Sequence, residues 1–516
     1  MTHAARSEIL IVGAGFSGLI MALEARKQGF RNITILEQAG DIGGTWRDNT
    51  YPGVACDIPS HLYSMASHPN PDWSRSYAPG AEIQTYLEDI ARRERLYDHC
   101  RFGERMTATQ WDGSQWQVDT IHAETGEAHH FTAPVLVLAL GALHVPLIPR
   151  IPGAEGFPGP AFHSARWDHG ADLAGKRIAV VGTGASAIQF VPELARQAAH
   201  VTVFQRTPPY VLPRVDRPIP PRMRALHRML PITRRLRRRW LYTLYELRHA
   251  VFRGKPRAVH MAMKMWRHGM EAAIRDPKLR ADVTPPYRIG CKRILSSNDW
   301  YPTLARDNVT VVPAGLSRIE GNRLIAGDGS TTEADVLVWG TGFHVTDALR
   351  GLKITGTGGR SLARAWVRGL QAYLGLGVSG FPNLFFLLGP HTGLGHNSVV
   401  LMIEAQAAHI ARLMKRMRTQ GLAAIEPRPE DQAAFEAEMD ERLAATVWQS
   451  GGCTSWYQDG NGRNPTLWPG TAGEYRRRLA RAGLDRYRIV ESTVTFTDPV
   501  AVAKTPPDTS RDSARP

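Results

Sequence analysis

Cysteine is scarce in this sequence: four residues in 516, at Cys56, Cys100, Cys291 and Cys453, with no C-x-x-C pair and no zinc-ligand spacing. That scatter fits a reducing cytosol and argues against a disulfide scaffold or a dithiol redox centre. Long apolar runs are missing too. No window is apolar for the length of a membrane span, and a mean hydropathy of -0.27 with 22% charged residues is that of a soluble globular chain. The run from Ile9 to Leu23 is broken by Gly13, Gly15 and Gly18 and lacks a small-residue cleavage site, which sets aside a signal peptide. There is no fixed-period repeat and no nucleophile-triad motif. Nor is a metal set visible: His129-His130 and the pair His391 and His396 lack acids at ligand spacing and read as parts of solvated loops.

What is present starts with length, since 516 residues exceed one core and imply two or three domains. Ser7 to Val12 reads as a short buried strand running into Gly13-x-Gly15-x-x-Gly18 and an Ala/Leu-rich helix to Gln28. A second strand, Asn32 to Leu36, ends at Glu37. The first glycine permits a tight turn, the second lets a pyrophosphate approach the backbone, and the third lets helix and strand pack closely. The helix N-terminus adds a positive dipole. Glu37 lies 19 residues after Gly18, where a carboxylate takes ribose hydroxyls.

The pattern restarts at Lys176: strand RIAVV, turn Gly182-x-Gly184-x-x-Ala187, a helix to Gln197, then strand HVTVF. Here the position 19 residues after Ala187 is Arg206, not an acid. Arginine binds a 2′-phosphate in a forked geometry, whereas an acid repels it. The first unit therefore suits FAD and the second NADPH. Flavin disulfide reductases need a close cysteine pair, so the cysteine spacing favours the flavin monooxygenases.

Two longer motifs carry a family resemblance. Phe157-x-Gly159-x-x-x-His163-x-x-x-Trp167-Asp168 resembles the signature of type I Baeyer–Villiger monooxygenases, and Gly43-Gly44-x-Trp46-x-x-x-x-Tyr51-Pro52-Gly53 is similar to their second signature. The resemblance runs from about Ser7 to Ala480. It implies an α/β fold with two Rossmann-type dinucleotide-binding domains and a helical insertion in the NADP domain. The expected division is 1–150 and 341–497 for the FAD domain, 151–340 for the NADP domain with its insert at about 222–280, and a disordered tail at 498–516.

The implied chemistry is transfer of hydride from NADPH to FAD, addition of O2 to the reduced ring as a C4a-peroxide, and insertion of oxygen next to a ketone carbonyl. That anion needs a permanent cation beside it, and arginine cannot lose its proton. In Gly290-Cys291-Lys292-Arg293 the resemblance assigns this cation to Arg293 and a nicotinamide-cofactor contact to Lys292. It assigns to Asp57 the carboxylate that holds the arginine, also counted among the cofactor contacts. Trp46 and Tyr63 are expected to border the flavin, and Trp456 to hydrogen-bond the NADP ribose. The other expected cofactor contacts are Phe16, Ser17, Gly44, Thr45, Met106, Thr183, Ala185, Ser186, Gln189 and Thr207, beside Gly13, Gly15, Gly18 and Gly184. His163 is expected on the interdomain linker, organising domain motion rather than moving protons. Gly340-Thr341-Gly342-Phe343 resembles a return strand between domains, and Gly389 to Ser398 a flavin-facing loop. An N- or S-oxidising flavin monooxygenase is the alternative; a flavin-binding accessory or redox-sensing protein is a rival of another class.

Charge is uneven. Between Arg214 and Arg293 lie 22 of the 63 basic residues but only 5 of the 48 acidic ones. From Arg222 to about Arg280 the pattern is helical, with Leu226, Met229, Leu230, Leu236, Trp240, Leu244 and Leu247 spaced for one apolar face. The bland reading is a solvated helical cap on the NADP domain that draws in NADPH. A peripheral membrane face, with Trp240, Leu241, Leu244 and Phe252 opposite an Arg-rich side, stays open. No recognised module surrounds the run, which argues against nucleic acid. The partners expected are a small ketone, with sulfide as a side substrate, and O2, in a cytoplasmic enzyme that can sit at a membrane.

Overall fold

The computed structural model describes residues 5–345 and 351–490. Two parallel five-stranded sheets carry the architecture. In the first, the spatial order is Leu384–Phe386, Val135–Leu138, Ile9–Val12, Ile33–Leu36 and Cys100–Arg101. All four residues of Ile9–Val12 are buried, as are those of Val135–Leu138, because helices or a second sheet cover both faces. The helix Phe16–Lys27 lies against the long helix Val399–Gln420, which ends at Gly421 in the left-handed conformation (φ 65°). A strand and a helix from beyond residue 380 thus complete the first unit.

The second sheet has the order Val309–Val312, His200–Phe204, Arg177–Val181, Val336–Trp339 and Ala161–His163. Ile178–Val181 and Val201–Phe204 are buried, and the helix Ala187–Leu194 packs on them. Two antiparallel elements add to what the sequence pattern predicts. Glu104–Trp111, Trp116–His122 and Ala128–Ala133 form the centre of a third five-stranded sheet, and Leu316–Glu333 folds into three short strands.

The basic insert is helical, as expected, in five pieces: Pro221–Met229, Pro231–Leu247, His249–Phe252, Pro256–Ala273 and Pro277–Asp282. Four of them start on proline, whose missing N–H and fixed φ suit a first helical position. The insert is not merely a cap on the second unit. Arg238 donates to the carbonyls of His61 (3.2 Å) and Ser64 (2.6 Å) and pairs with Glu404 at 3.2 Å. Glu246 accepts from Asn397 at 2.7 Å and from the backbone N–H of Ala472 at 3.2 Å and of Gly473 at 3.4 Å. Burial alone would raise this carboxyl, but His396 and these donors bring it down to about 2. Leu241 and Phe252 are buried, so neither can belong to the outward face expected for them.

Two other expectations are overturned. His391 and His396 are not in a solvated loop: both are buried, His391 3.2 Å from Glu436 and His396 3.5 Å from Glu246. His129 and His130 sit on the strand Ala128–Ala133, paired with Glu104 and Asp119. Glu436 and Glu246 are remote in sequence from their histidines, so ligand spacing could not reveal them. No cluster of metal-ligating side chains occurs among the described residues. The tail at 498–516 lies outside the described residues.

Candidate active site

The first glycine turn is built to admit a phosphate. Gly13 has φ 108°, and a Cβ there would stand 2.5 Å from the carbonyl oxygen of Ala139; one at Gly18 would stand 1.9 Å from that of Gly13. Gly15, by contrast, has no atom nearer than 3.8 Å, and Gly44 crosses over it with φ 54°. Phe16 and Ser17 open the helix, and Thr45 and Trp46 begin a short one just after Gly44. Glu37 ends its strand buried, accepting from the N–H of Ala14 at 2.9 Å and of Ala39 at 3.0 Å, with Arg47 at 3.2 Å. A carboxylate at the end of the second strand, facing an open glycine, fits a ribose above a pyrophosphate. Trp46 donates to the Tyr63 hydroxyl at 3.2 Å, and Tyr63 stands edge-on to Phe16 with ring centroids 5.2 Å apart. Met106 is buried in the core between the first sheet and the antiparallel one.

The second turn repeats the logic. Gly182 has φ 108°, and a Cβ would meet the Gly340 oxygen at 2.4 Å, whereas Gly184 and Ala185 are exposed at its mouth. Thr183 donates to the Thr207 carbonyl at 3.4 Å. Gln189 is already engaged: it accepts from Tyr51 at 2.9 Å and donates to the Ala55 carbonyl at 3.0 Å, stitching the second unit to the loop of the second signature. Arg206 is exposed and makes no ion pair among the described residues. Burial lowers the pKa of Lys292, and the charge of nearby Arg206 lowers it further. Two unneutralised cations side by side are costly unless an anion joins them, which is the fit expected of a 2′-phosphate.

Between the units lies the ion pair that the sequence named. Arg293 donates from Nε and Nη2 to the same oxygen of Asp57, at 3.0 and 2.5 Å, across 236 positions of sequence. Asp57 follows the second signature, and Arg293 comes from the loop after the insert. The charge of Asp57 holds the guanidinium above the ordinary arginine range against the opposing effect of burial. Tyr457, for which the sequence carries no motif, is buried beside Arg293; burial pushes its phenol up to about 12 while the guanidinium pulls it back. The signal lay in the adjacent Trp456, whose ring sits 4.2 Å from that of Tyr457 and is 41% exposed. His163 is buried at the end of its strand, accepts from the Ala165 N–H at 3.1 Å, and meets the Phe343 ring edge-on at 5.6 Å. Burial holds its pKa down, with the backbone of Gly342 opposing. It therefore joins the long signature to the return segment Gly340–Phe343.

The cysteines need correction. Cys291 and Cys453 form a disulfide, with Cα atoms 6.1 Å apart and 162 positions between them. Local spacing detects only local pairs, and this one closes through the fold. It ties the loop of Lys292 and Arg293 to the segment of Trp456 and Tyr457. Cys56 and Cys100 are free and buried.

Comparison with known proteins decides the class. Residues 6–249 match the family model described as flavin-binding monooxygenase-like. A Baeyer-Villiger monooxygenase of Streptomyces coelicolor is 46% identical over 485 residues, covering 93% of this chain and 92% of that protein. Another, from Pseudomonas aeruginosa, is 42% identical, covering 94% and 92%. Among solved structures, an oxidised steroid monooxygenase bound to NADP superposes with a TM-score of 0.83 at 31% identity, over 95% of this chain and 100% of that one. A closed cyclohexanone monooxygenase also gives 0.83, at 27% identity and the same coverage.

The two dinucleotide units and the arginine between them thus define a flavin-dependent monooxygenase using FAD and NADPH. Within that class the chain belongs to the Baeyer–Villiger monooxygenases, and its reaction places one oxygen of O2 next to a ketone carbonyl. The N- or S-oxidising alternative has less support, and the disulfide does not revive the disulfide-reductase reading.

Proposed function

We propose that Arg293, held by Asp57, is the fixed cation of ketone oxygenation and that the product is an ester or lactone. The observation that carries this is the double donation of Arg293 to one Asp57 oxygen at the junction of the two dinucleotide units. When bound, FAD supplies hydride acceptance from NADPH and the reaction of its reduced ring with O2. The turn Gly13–Gly18, with Phe16 and Ser17, and the carboxylate of Glu37 would hold its pyrophosphate and ribose. Gly44, Thr45, Trp46, Tyr63 and Met106 would line the rest of that site. Thr183 to Ser186, Arg206, Thr207, Lys292 and Trp456 would hold NADPH, with Gln189 positioning the helix behind them.

In this division the described residues within 1–150 and 341–497 would form the FAD domain and 151–340 the NADP domain. Asp57 leaves one oxygen to Arg293, so the cation stays oriented while its remaining N–H groups serve negative charge that develops on the reacting oxygens. Tyr457 and Cys56 are buried beside the pair, whose own side chains are partly exposed. The same reading has a cytoplasmic enzyme whose basic insert rests on a membrane surface, and sulfide oxidation as a side activity.

A panel of ketones and matched sulfides, incubated with NADPH under air and analysed by product mass, tests the proposal. Ester or lactone bearing one added oxygen supports it. Sulfoxide formation with no ketone product favours the heteroatom-oxidising reading instead.

A further inference from the structure

Pro231–Leu247 places its apolar residues where a core helix has none. Ile232, Leu236, Trp240 and Leu244 recur at every fourth position and Leu247 follows three later, so all five share one side of the helix. That side faces outward: Leu236, Trp240 and Leu247 are 60%, 54% and 68% exposed, while Leu241 and Tyr245 opposite them are 4% and 2% exposed. Met229 and Leu230, at the turn into this helix, are exposed as well. The row contributes nothing to the protein's own core, and a contiguous exposed apolar surface of this kind marks an interaction site.

The rim of the row is cationic. Arg235 and Arg239 flank it on one side. Arg237 flanks it on the other, its guanidinium 4.8 Å from the centroid of the Trp240 ring. None of these three arginines makes an ion pair among the described residues. Glu246 is the only acid between Arg222 and Arg257, and it is engaged on the inner side by Asn397 and by the N–H groups of Ala472 and Gly473. Arg238, also on the inner side, is fixed to the carbonyls of His61 and Ser64. The outer face is therefore presented preformed by a helix that is pinned from behind.

We propose that this face docks on an anionic phospholipid surface, with Pro231–Leu247 lying in the plane of the interface. The apolar row enters the acyl boundary, Trp240 takes the headgroup level, and the flanking arginines reach lipid phosphates along their aliphatic stems. A second copy of the chain is the poorer occupant, because pairing like faces sets Arg235, Arg237 and Arg239 against one another with no free acid between them. A nucleic acid would use the arginines but leave the apolar row in water. The inference deepens the surface contact in the proposed function and rests on none of its oxygenation chemistry.

The test is co-sedimentation of the full, FAD-loaded chain with phosphatidylcholine vesicles, with and without phosphatidylglycerol, at low and high salt. The partner variant is Leu236→Gln with Trp240→Gln, which keeps every charge. The wild type is expected to bind phosphatidylglycerol vesicles about tenfold or more tightly than neutral ones, less so at high salt. The double variant is expected to lose about tenfold of that binding while keeping its melting temperature and NADPH oxidation. Undiminished binding by the double variant, or equal binding to neutral vesicles, overturns the proposal. So does a dimer in gel filtration that the double variant abolishes while wild-type protein ignores vesicles, or duplex-DNA binding tighter than vesicle binding. Vesicle binding by a protein that oxidises no ketone supports the docking face while removing the oxygenation reading.

Discussion

Arg293 gives two of its N–H groups to a single oxygen of Asp57, at 3.0 and 2.5 Å, although 236 positions separate them. Under the proposed function the arginine comes from the unit that would bind the nicotinamide cofactor, and the aspartate from the unit that would bind the flavin. The pair is assembled only when the two units sit together. Asp57→Asn keeps the shape but removes the charge that holds the guanidinium. The expected result is a kcat about tenfold lower for ketone oxygenation, roughly 1.4 kcal/mol, with flavin reduction by NADPH nearly unchanged. Steady-state turnover and anaerobic stopped-flow reduction check the two halves.

Arg206 lies near enough to Lys292 for its charge to act on that amine, so if the two hold the coenzyme phosphate as proposed, coenzyme choice should respond to either. Arg206→Ala is expected to lower kcat/KM for NADPH about 10- to 100-fold and to leave NADH almost unaffected. Because the second cation then faces the phosphate alone, Lys292→Ala on top should cost less than it does alone or more than the simple product, never the same. A four-variant kinetic comparison with both coenzymes settles the pair.

Much of this site was legible in the sequence because each part is local. The two glycine turns, the equal distances to Glu37 and Arg206, and the loop of Lys292 and Arg293 each lie in one short stretch. The strand RIAVV after Lys176 was equally plain, since a buried parallel strand reads as a continuous apolar run. What failed depended on distant partners. Periodicity revealed the apolar side of the insert but not which way it points, and Leu241 with Tyr245 took the inner place. His391 and His396 do lie in a loop, but nothing local shows that it is buried, because Glu436 and Glu246 are remote in sequence. Tyr457 is not legible in the sequence, because a tyrosine beside a tryptophan has no signature of its own.

The disulfide makes a count that can be checked. Alkylation of the denatured, unreduced chain should label two cysteines, Cys56 and Cys100, and peptide mapping should return Cys291 linked to Cys453. Cys453→Ser frees the segment carrying Trp456 and is expected to raise KM for NADPH by a few-fold, about 1 kcal/mol, with smaller effect on kcat. Four labelled cysteines without reduction would remove the tether.

Acid stability has a definite sign. His61 is pushed from the ordinary 6.5 down to about 3 by burial first, then by His227, Arg237, Arg234 and Arg238. The folded chain therefore refuses a proton that the unfolded chain accepts below pH 6.5. Its contribution is complete above pH 6.5 and is lost as pH falls toward 3, at up to about 1.4 kcal/mol per pH unit. His61→Gln should flatten that part of the curve, measured as the urea midpoint at pH 7 and at pH 5. An unchanged difference between the two pH values would place the acid sensitivity elsewhere.

The most direct test of the central claim is Arg293→Ala, followed in one preparation by anaerobic reduction with NADPH and by product mass under air. Flavin reduction at close to the wild-type rate, with ester or lactone formation down about 100-fold or more and NADPH still consumed, is the predicted result. Ester or lactone formation at the wild-type level would contradict it.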